Sequence, residues 1–155
     1  MEQKTIIKAD EGSQVIEIKR AFDLPVELLF KAHEEPELLE QWMGTKVIKM
    51  ECKKHGSYRF ETAYGGKVVF SANGTIHDFV PNERITRTFE MENAGMGVQL
   101  EFLEFRPLSP GKSELTTQII YRSPAHRAIQ LKMPFAYGLN MAHDRLQDIL
   151  SKLIK

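Results

Sequence analysis

Five histidines, one cysteine and four tyrosines are the side chains of this 155-residue sequence best suited to chemistry near neutral pH. The histidines His33, His55, His77, His126 and His143 show no pair at the H-x-H or H-x-x-x-H spacing of a metal site. His33-Glu34-Glu35 lacks the zincin pattern, and His143 and Asp144 are neighbours on a helical stretch, so they point apart. No metal and no cofactor is expected. Gly65-Gly66 and Gly95-Met96-Gly97 match neither phosphate-binding glycine motif and read as hairpin turns; a Gly-x-Ser-x-Gly elbow is missing. Cys52 has no partner for an internal disulfide. It shares a strand face with Ile48 and Met50, which reads as a small buried hydrophobe, the alternative being a reactive thiol. His77 has two readings. With Thr75 and Phe79 on an inward face it would contact a ligand or act as acid or base beside a tyrosine such as Tyr58 or Tyr121. Otherwise it is a surface imidazole, or a core histidine satisfied by a neighbour. Arg20 interrupts the apolar face of Ile16, Ile18 and Phe22, either as an arginine that snorkels or pairs with a carboxylate, or as a charge at one end of a cavity.

These residues need elements to hold them. Phe135, Leu139, Ala142, Leu146, Ile149 and Leu153 follow at steps of 4, 3, 4, 3 and 4. At about 3.6 residues per turn they form one stripe, with Asn140, Asp144 and Gln147 opposite. The spacing predicts a long amphipathic helix over 134–154 that needs a broad apolar partner. Alternation over 14–22 predicts a half-buried strand. Asp23 as cap and Pro25 in the first turn open a short helix carrying Val26, Leu29, Phe30 and His33; Pro36 opens a second, with Leu38, Leu39 and Trp42, ended by Gly44. Strands follow over 46–52, 57–62, 68–79, 85–91, 97–106 and 113–121, joined by Gly, Pro and Asn turns, with Gly74 marking a bulge or sharp bend. Residues 1–13 form a lead-in or short edge strand, and 125–133 a short helix or ordered loop. Hairpins in series favour an antiparallel meander, so the fold class is α+β: a curved sheet of about six or seven strands around a terminal helix.

Lysine plus arginine equals aspartate plus glutamate at 21 each, which argues against a nucleic-acid binder. The opening Met1-Glu-Gln-Lys4 lacks a signal-peptide pattern, and no apolar run approaches the roughly 18 residues of a membrane span, so a cytoplasmic location without membrane insertion is expected. Candidate inward residues of the sheet are Met50, Tyr58, Phe60, Phe70, His77, Phe89, Phe102, Thr117, Ile119 and Tyr121. The helix opposite offers Phe135, Gly138, Met141 and Ala142. Apolar walls with sparse hydroxyls suit a small-molecule pocket, and they suit a packed core equally. Gly138 and Ala142 leave space over the sheet, whereas Leu146, Ile149, Leu150 and Leu153 fill it, so a cavity belongs at the Gly138 end.

The run Ile16-Glu-Ile-Lys-Arg-Ala-Phe-Asp-Leu-Pro25, then Leu29-Phe30-Lys-Ala32 and Pro36-Glu-Leu-Leu-Glu-Gln-Trp42, resembles the opening of the AHSA-like family. These are relatives of the C-terminal domain of the activator of heat-shock-protein-90 ATPase, within the START/SRPBCC (Bet v allergen-like) superfamily. Gly74 through Ile85, with Pro81-Asn-Glu-Arg84-Ile85, resembles the family's strand, turn and strand. Tyr137-Gly138 through Asp144-Arg145-Leu146 resembles its last helix. The likeness covers residues 14–153 and implies a single helix-grip domain. It specifies fold more sharply than function, since the superfamily spans lipid carriers, receptors, cyclases and co-chaperones. Three functions stand. The first is a binding protein for a small apolar or aromatic molecule held between helix and sheet. The second is a cyclase or dehydratase using His77 and a pocket tyrosine. The third is a chaperone-interacting module, although such relatives usually carry a further domain. A chaperone or a second copy of the chain are the protein partners left open.

Overall fold

A computed structural model of the chain describes residues 4–154. Residues 1–3, which carry most of the leader argument, lie outside the described residues. The chain opens with strand β1 (Ile6–Lys8) and β2 (Val15–Phe22), followed by helices α1 (Val26–Glu34) and α2 (Pro36–Met43). The strands β3 (Lys46–Met50), β4 (Ser57–Tyr64), β5 (Lys67–Val80), β6 (Arg84–Met91), β7 (Val98–Ser109) and β8 (Lys112–Ile120) come next. Helices α3 (Pro124–Leu131) and α4 (Phe135–Ser151) complete it.

All eight strands join one open antiparallel sheet in the order β1-β2-β8-β7-β6-β5-β4-β3. The count exceeds the expected six or seven because Ile6–Lys8 pairs along β2 as an added edge strand. The meander from β3 to β8 follows from hairpin turns too short for a crossover. The single long return is made by α1 and α2, which carry the chain from β2 to the far edge. Gly44 ends α2 with a φ of 67°, a left-handed cap that glycine adopts without penalty. Helix α1 starts from Pro25, and its cap position makes no side-chain hydrogen bond. Asp23 is therefore not the cap expected from sequence. Its N–H is taken by Gln147 Oε1 at 2.9 Å, and its carboxylate lies 3.5 Å from Lys112. Ser123 does cap α3, accepting from the His126 N–H.

The stripe on α4 is rotated and shortened relative to expectation. Leu146 and Leu150 are fully buried with His143, whereas the helix ends at Ser151 and leaves Leu153 exposed. Asn140 and Asp144, expected on the wet side, instead meet Arg20 across the groove: Arg20 Nη2 donates to Asp144 Oδ1 at 2.8 Å, and Nη1 to Asn140 Oδ1 and Thr5 Oγ1. Arg20 thus pairs with a carboxylate, the structural one of its two readings.

Two glycines carry opposite loads. Gly74 lies in regular sheet pairing opposite Tyr58, and a Cβ there would overlap the Thr88 carbonyl and the Tyr58 hydroxyl that bonds to it. The bulges in β5 fall at Val69, against β4, and at His77, between Ile76 and Asp78, against β6, rather than at Gly74. Gly138 lies in the first turn of α4 with open space around a would-be Cβ. Gly74→Ala is expected to lose about 1–3 kcal/mol through overpacking. Gly138→Ala should gain up to about 1 kcal/mol of helix propensity. Urea titration of the two variants checks the opposite signs.

Candidate functional site

Two apolar clusters fill the space between helices and sheet. The larger joins α1, α2 and the C-terminal half of α4 to β4–β8, around Phe22, Phe30, Trp42, Phe60 and Leu146. The smaller gathers Ile16, Ile18, Met96, Ile119 and Tyr121 beneath Ile129, Met133, Phe135 and Leu139. Between them is a cavity of about 470 Å³, at the Gly138 end of α4. That volume suits a small organic molecule. The roof is Phe135, Gly138, Leu139, Ala142 and His143 of α4, with Gln130 of α3 and Met133 and Pro134 of the α3–α4 connection; His33 and Trp42 close one end. The floor comes from the inward faces of five strands, with Ile18, Phe70, Phe89, Thr117 and Ile119 among its residues.

Of the residues proposed from sequence, Phe70, Phe89, Thr117, Ile119, Phe135, Gly138 and Ala142 line this space. The others lie elsewhere. Tyr58 and Phe60 are buried in the larger cluster, and Met50 packs against its edge. Tyr121 is buried in the smaller cluster, its hydroxyl directed to Gln130 Oε1. Met141 is exposed on α4. Phe102 points to the other face of the sheet, because Glu101 and Leu103 take the buried positions on either side of it. His77 is exposed, since the bulge lets Ile76 and Phe79 both turn inward and pushes the imidazole out. It therefore does not meet Tyr58 or Tyr121. Cys52 follows the end of β3, half-buried with its thiol toward the Glu34 carbonyl; burial and then Glu34 push its pKa up to about 11, so it is not an activated nucleophile.

The floor also holds polar groups that hydrophobic patterning passes over. Arg87 of β6 and Glu101 of β7 are directly paired across the sheet, and Arg87 Nε donates to Glu101 Oε1 at 2.9 Å. Their side chains are 15% and 8% exposed. Gln99 Nε2 donates to Glu101 Oε2, so both carboxylate oxygens are engaged. The Arg87 guanidinium stands 5.3 Å from the Tyr58 ring centroid, a cation–π contact. Burial alone would lower the Arg87 pKa, but Tyr58 and Glu101 outweigh it and the net direction is upward. The sequence signal for this pair was available. Arg87 falls in phase with Ile85, Phe89 and Met91, and an opposite charge sits in the apolar phase of the next strand.

Two histidines border the same space, both neutral in the folded state. His33, between Trp42 and Phe105, donates from Nδ1 to the Leu29 carbonyl, which leaves Nε2 as an acceptor. Burial pulls its pKa down to about 4, against the Leu29 bond and with help from Arg87. His143 shares a 2.8 Å hydrogen bond with the Thr5 hydroxyl, and burial, then His33 and Arg20, bring its pKa to about 3. Among the described residues no group of three or more histidine, cysteine or acidic side chains could hold a metal ion.

The family described as activator of Hsp90 ATPase homolog 1-like protein matches residues 23–151. The chain belongs to this family. As an AHSA1-type chain of the START/SRPBCC class, it shares its fold with solved bacterial structures. A Rhodobacter sphaeroides protein is 24% identical with a TM-score of 0.82, over 95% of this chain and 99% of that one. The Mycobacterium smegmatis protein Ms6760 is 18% identical with a TM-score of 0.83, covering 95% and 96%. An Arthrobacter aurescens protein is 16% identical with a TM-score of 0.84, covering 95% and 91%. At these identities the likeness speaks for the AHSA1 fold alone. A comparison with curated protein sequences gives no match. No helix among the described residues is long and apolar enough to cross a membrane.

Proposed function

We propose that this AHSA1-type chain is a single-domain binding protein for a small, largely apolar or aromatic molecule held between α4 and the sheet. The observation that carries the reading is the cavity itself. Half of its lining residues are phenylalanine, leucine, isoleucine and methionine, and polar side chains reach it from the floor (Arg87, Gln99, Glu101, Thr117), from the roof (Gln130, His143) and from one end (His33). Such a site binds by burying apolar surface and orients its occupant through a small number of hydrogen bonds. The cyclase or dehydratase reading built on His77 loses support, because that imidazole is on the outside of the sheet. A chaperone as partner is favoured only by the family description, and co-precipitation with a purified chaperone would test it.

Amide NMR spectra of labelled protein, titrated with pooled apolar and aromatic metabolites, test the reading. Saturable shifts are expected at Phe135–Ala142 and at Phe70, Phe89 and Ile119. Ala142→Phe, which fills the space from the roof, should abolish those shifts while the protein remains folded. Flat spectra across the library would overturn the reading.

A further inference from the structure

The charge arrangement on the cavity floor defines the class of molecule the site accepts; this rests on the binding reading above. We propose that the cavity selects an uncharged ligand bearing a carbonyl or comparable acceptor oxygen aimed at Arg87, and that it rejects carboxylates unless they bind as the protonated acid.

Among the described residues that line the cavity, Arg87 and Glu101 are the one arginine and the one carboxylate side chain, and they pair with each other. Of the three guanidinium nitrogens, Nε alone donates to a protein acceptor among the described residues, and it is committed to Glu101. The Nη groups remain as donors where the residue meets the cavity. A carbonyl oxygen there gains a charge-assisted hydrogen bond without disturbing the pair. A carboxylate would place a second negative charge beside Glu101, whose two oxygens are already held by Arg87 and Gln99. No second cation offsets it. His33 from α1 and His143 from α4 are neutral above about pH 5, with pKa values near 4 and 3. Tyr58 from β4 stays protonated, since burial pushes its pKa up. In a low-dielectric site that uncompensated charge weakens binding of the anion, relative to the neutral acid, by on the order of ten-thousandfold, so the small neutral fraction carries the binding between pH 6 and 8.

The test compares 2-naphthylacetamide with 2-naphthylacetic acid on the intact protein by calorimetry between pH 6 and 8. The amide should bind with an affinity independent of pH across this range. The acid should bind more weakly at pH 8 and gain about tenfold per unit as pH falls, taking up one proton on binding. Proton uptake is read directly from the dependence of the heat on buffer ionisation. Glu101→Gln, which keeps the shape and leaves Arg87 in excess, should invert the preference so that the anion binds at pH 8. An acid that binds at pH 8 as tightly as the amide, without proton uptake, overturns the inference and leaves the binding reading intact. If no uncharged aromatic probe binds, the binding reading falls and this inference falls with it. Should Glu101→Gln fail to fold, the pH series on the unaltered protein still decides the question.

Discussion

Acidification from pH 7 to pH 3 is expected to unfold this protein largely through His33 and His143. Both are buried and neutral in the fold, with pKa values near 4 and 3 against 6.5 in the unfolded chain. Above pH 6.5 neither state binds these protons and the full stability is present. As pH falls below 6.5 the unfolded chain takes up protons that the native state cannot accommodate, so stability declines. It falls by up to about 1.4 kcal/mol per pH unit for each histidine, and the decline from His33 levels off near pH 4. His33 contributes roughly 3 kcal/mol and His143 roughly 5 kcal/mol over their windows, against a typical net stability of about 5–15 kcal/mol. Urea titrations at stepped pH should show a slope near two protons around pH 5. His33→Phe and His143→Phe should each remove about one proton from it, and a slope unchanged in both would refute the assignment.

The Arg20–Asp144 pair should respond asymmetrically to mutation. Asp144→Ala is expected to destabilise by about 3 kcal/mol, while Arg20→Met costs appreciably less. The reason lies in exposure: the Arg20 side chain is 2% exposed and that of Asp144 is 40% exposed. Removing the carboxylate strands a buried guanidinium whose Nε has no partner among the described residues, which then offer it Thr5, Asn140 and the Phe22 ring, 5.2 Å away. Removing the arginine leaves an aspartate that water can reach, and methionine occupies the apolar stem's place. The double variant Arg20→Met/Asp144→Ala should therefore be more stable than Asp144→Ala alone. Equal losses in the two single variants would show that the ion pair itself, rather than the stranded cation, sets the energy.

The elements were legible wherever burial follows one simple period. β2, the turns of the meander, both proline-started helices and the leucines of α4 are of this kind. The added strand β1 was not. Three residues on an edge have no alternation long enough to read, and only the pairing along β2 defines them. Legibility failed most where the inward face carries polar residues. Phe102 was placed inward, whereas Gln99 and Glu101, in the opposite phase of the same strand, face the cavity. A pattern that equates polar with outside inverts on any strand that floors a polar-lined cavity. His77 failed for a different reason: one inserted residue reverses the phase of everything beyond it, and sequence alone does not locate the insertion. The space over Gly138 was readable because small residues at helical spacing announce a gap whichever strand lies below.

The two halves of α4 have a consequence for how this architecture diversifies. Leu146 and Leu150, which fasten the helix to the body of the protein, lie on turns different from those of Gly138, Leu139 and Ala142, which shape the cavity roof. Substitutions in the first half alter the volume and contour of the cavity while leaving the anchoring leucines untouched. The usual conflict, in which retuning a site erodes the stability that permits it, is thereby relaxed. A chain built this way can reshape that space by a few changes over two helical turns.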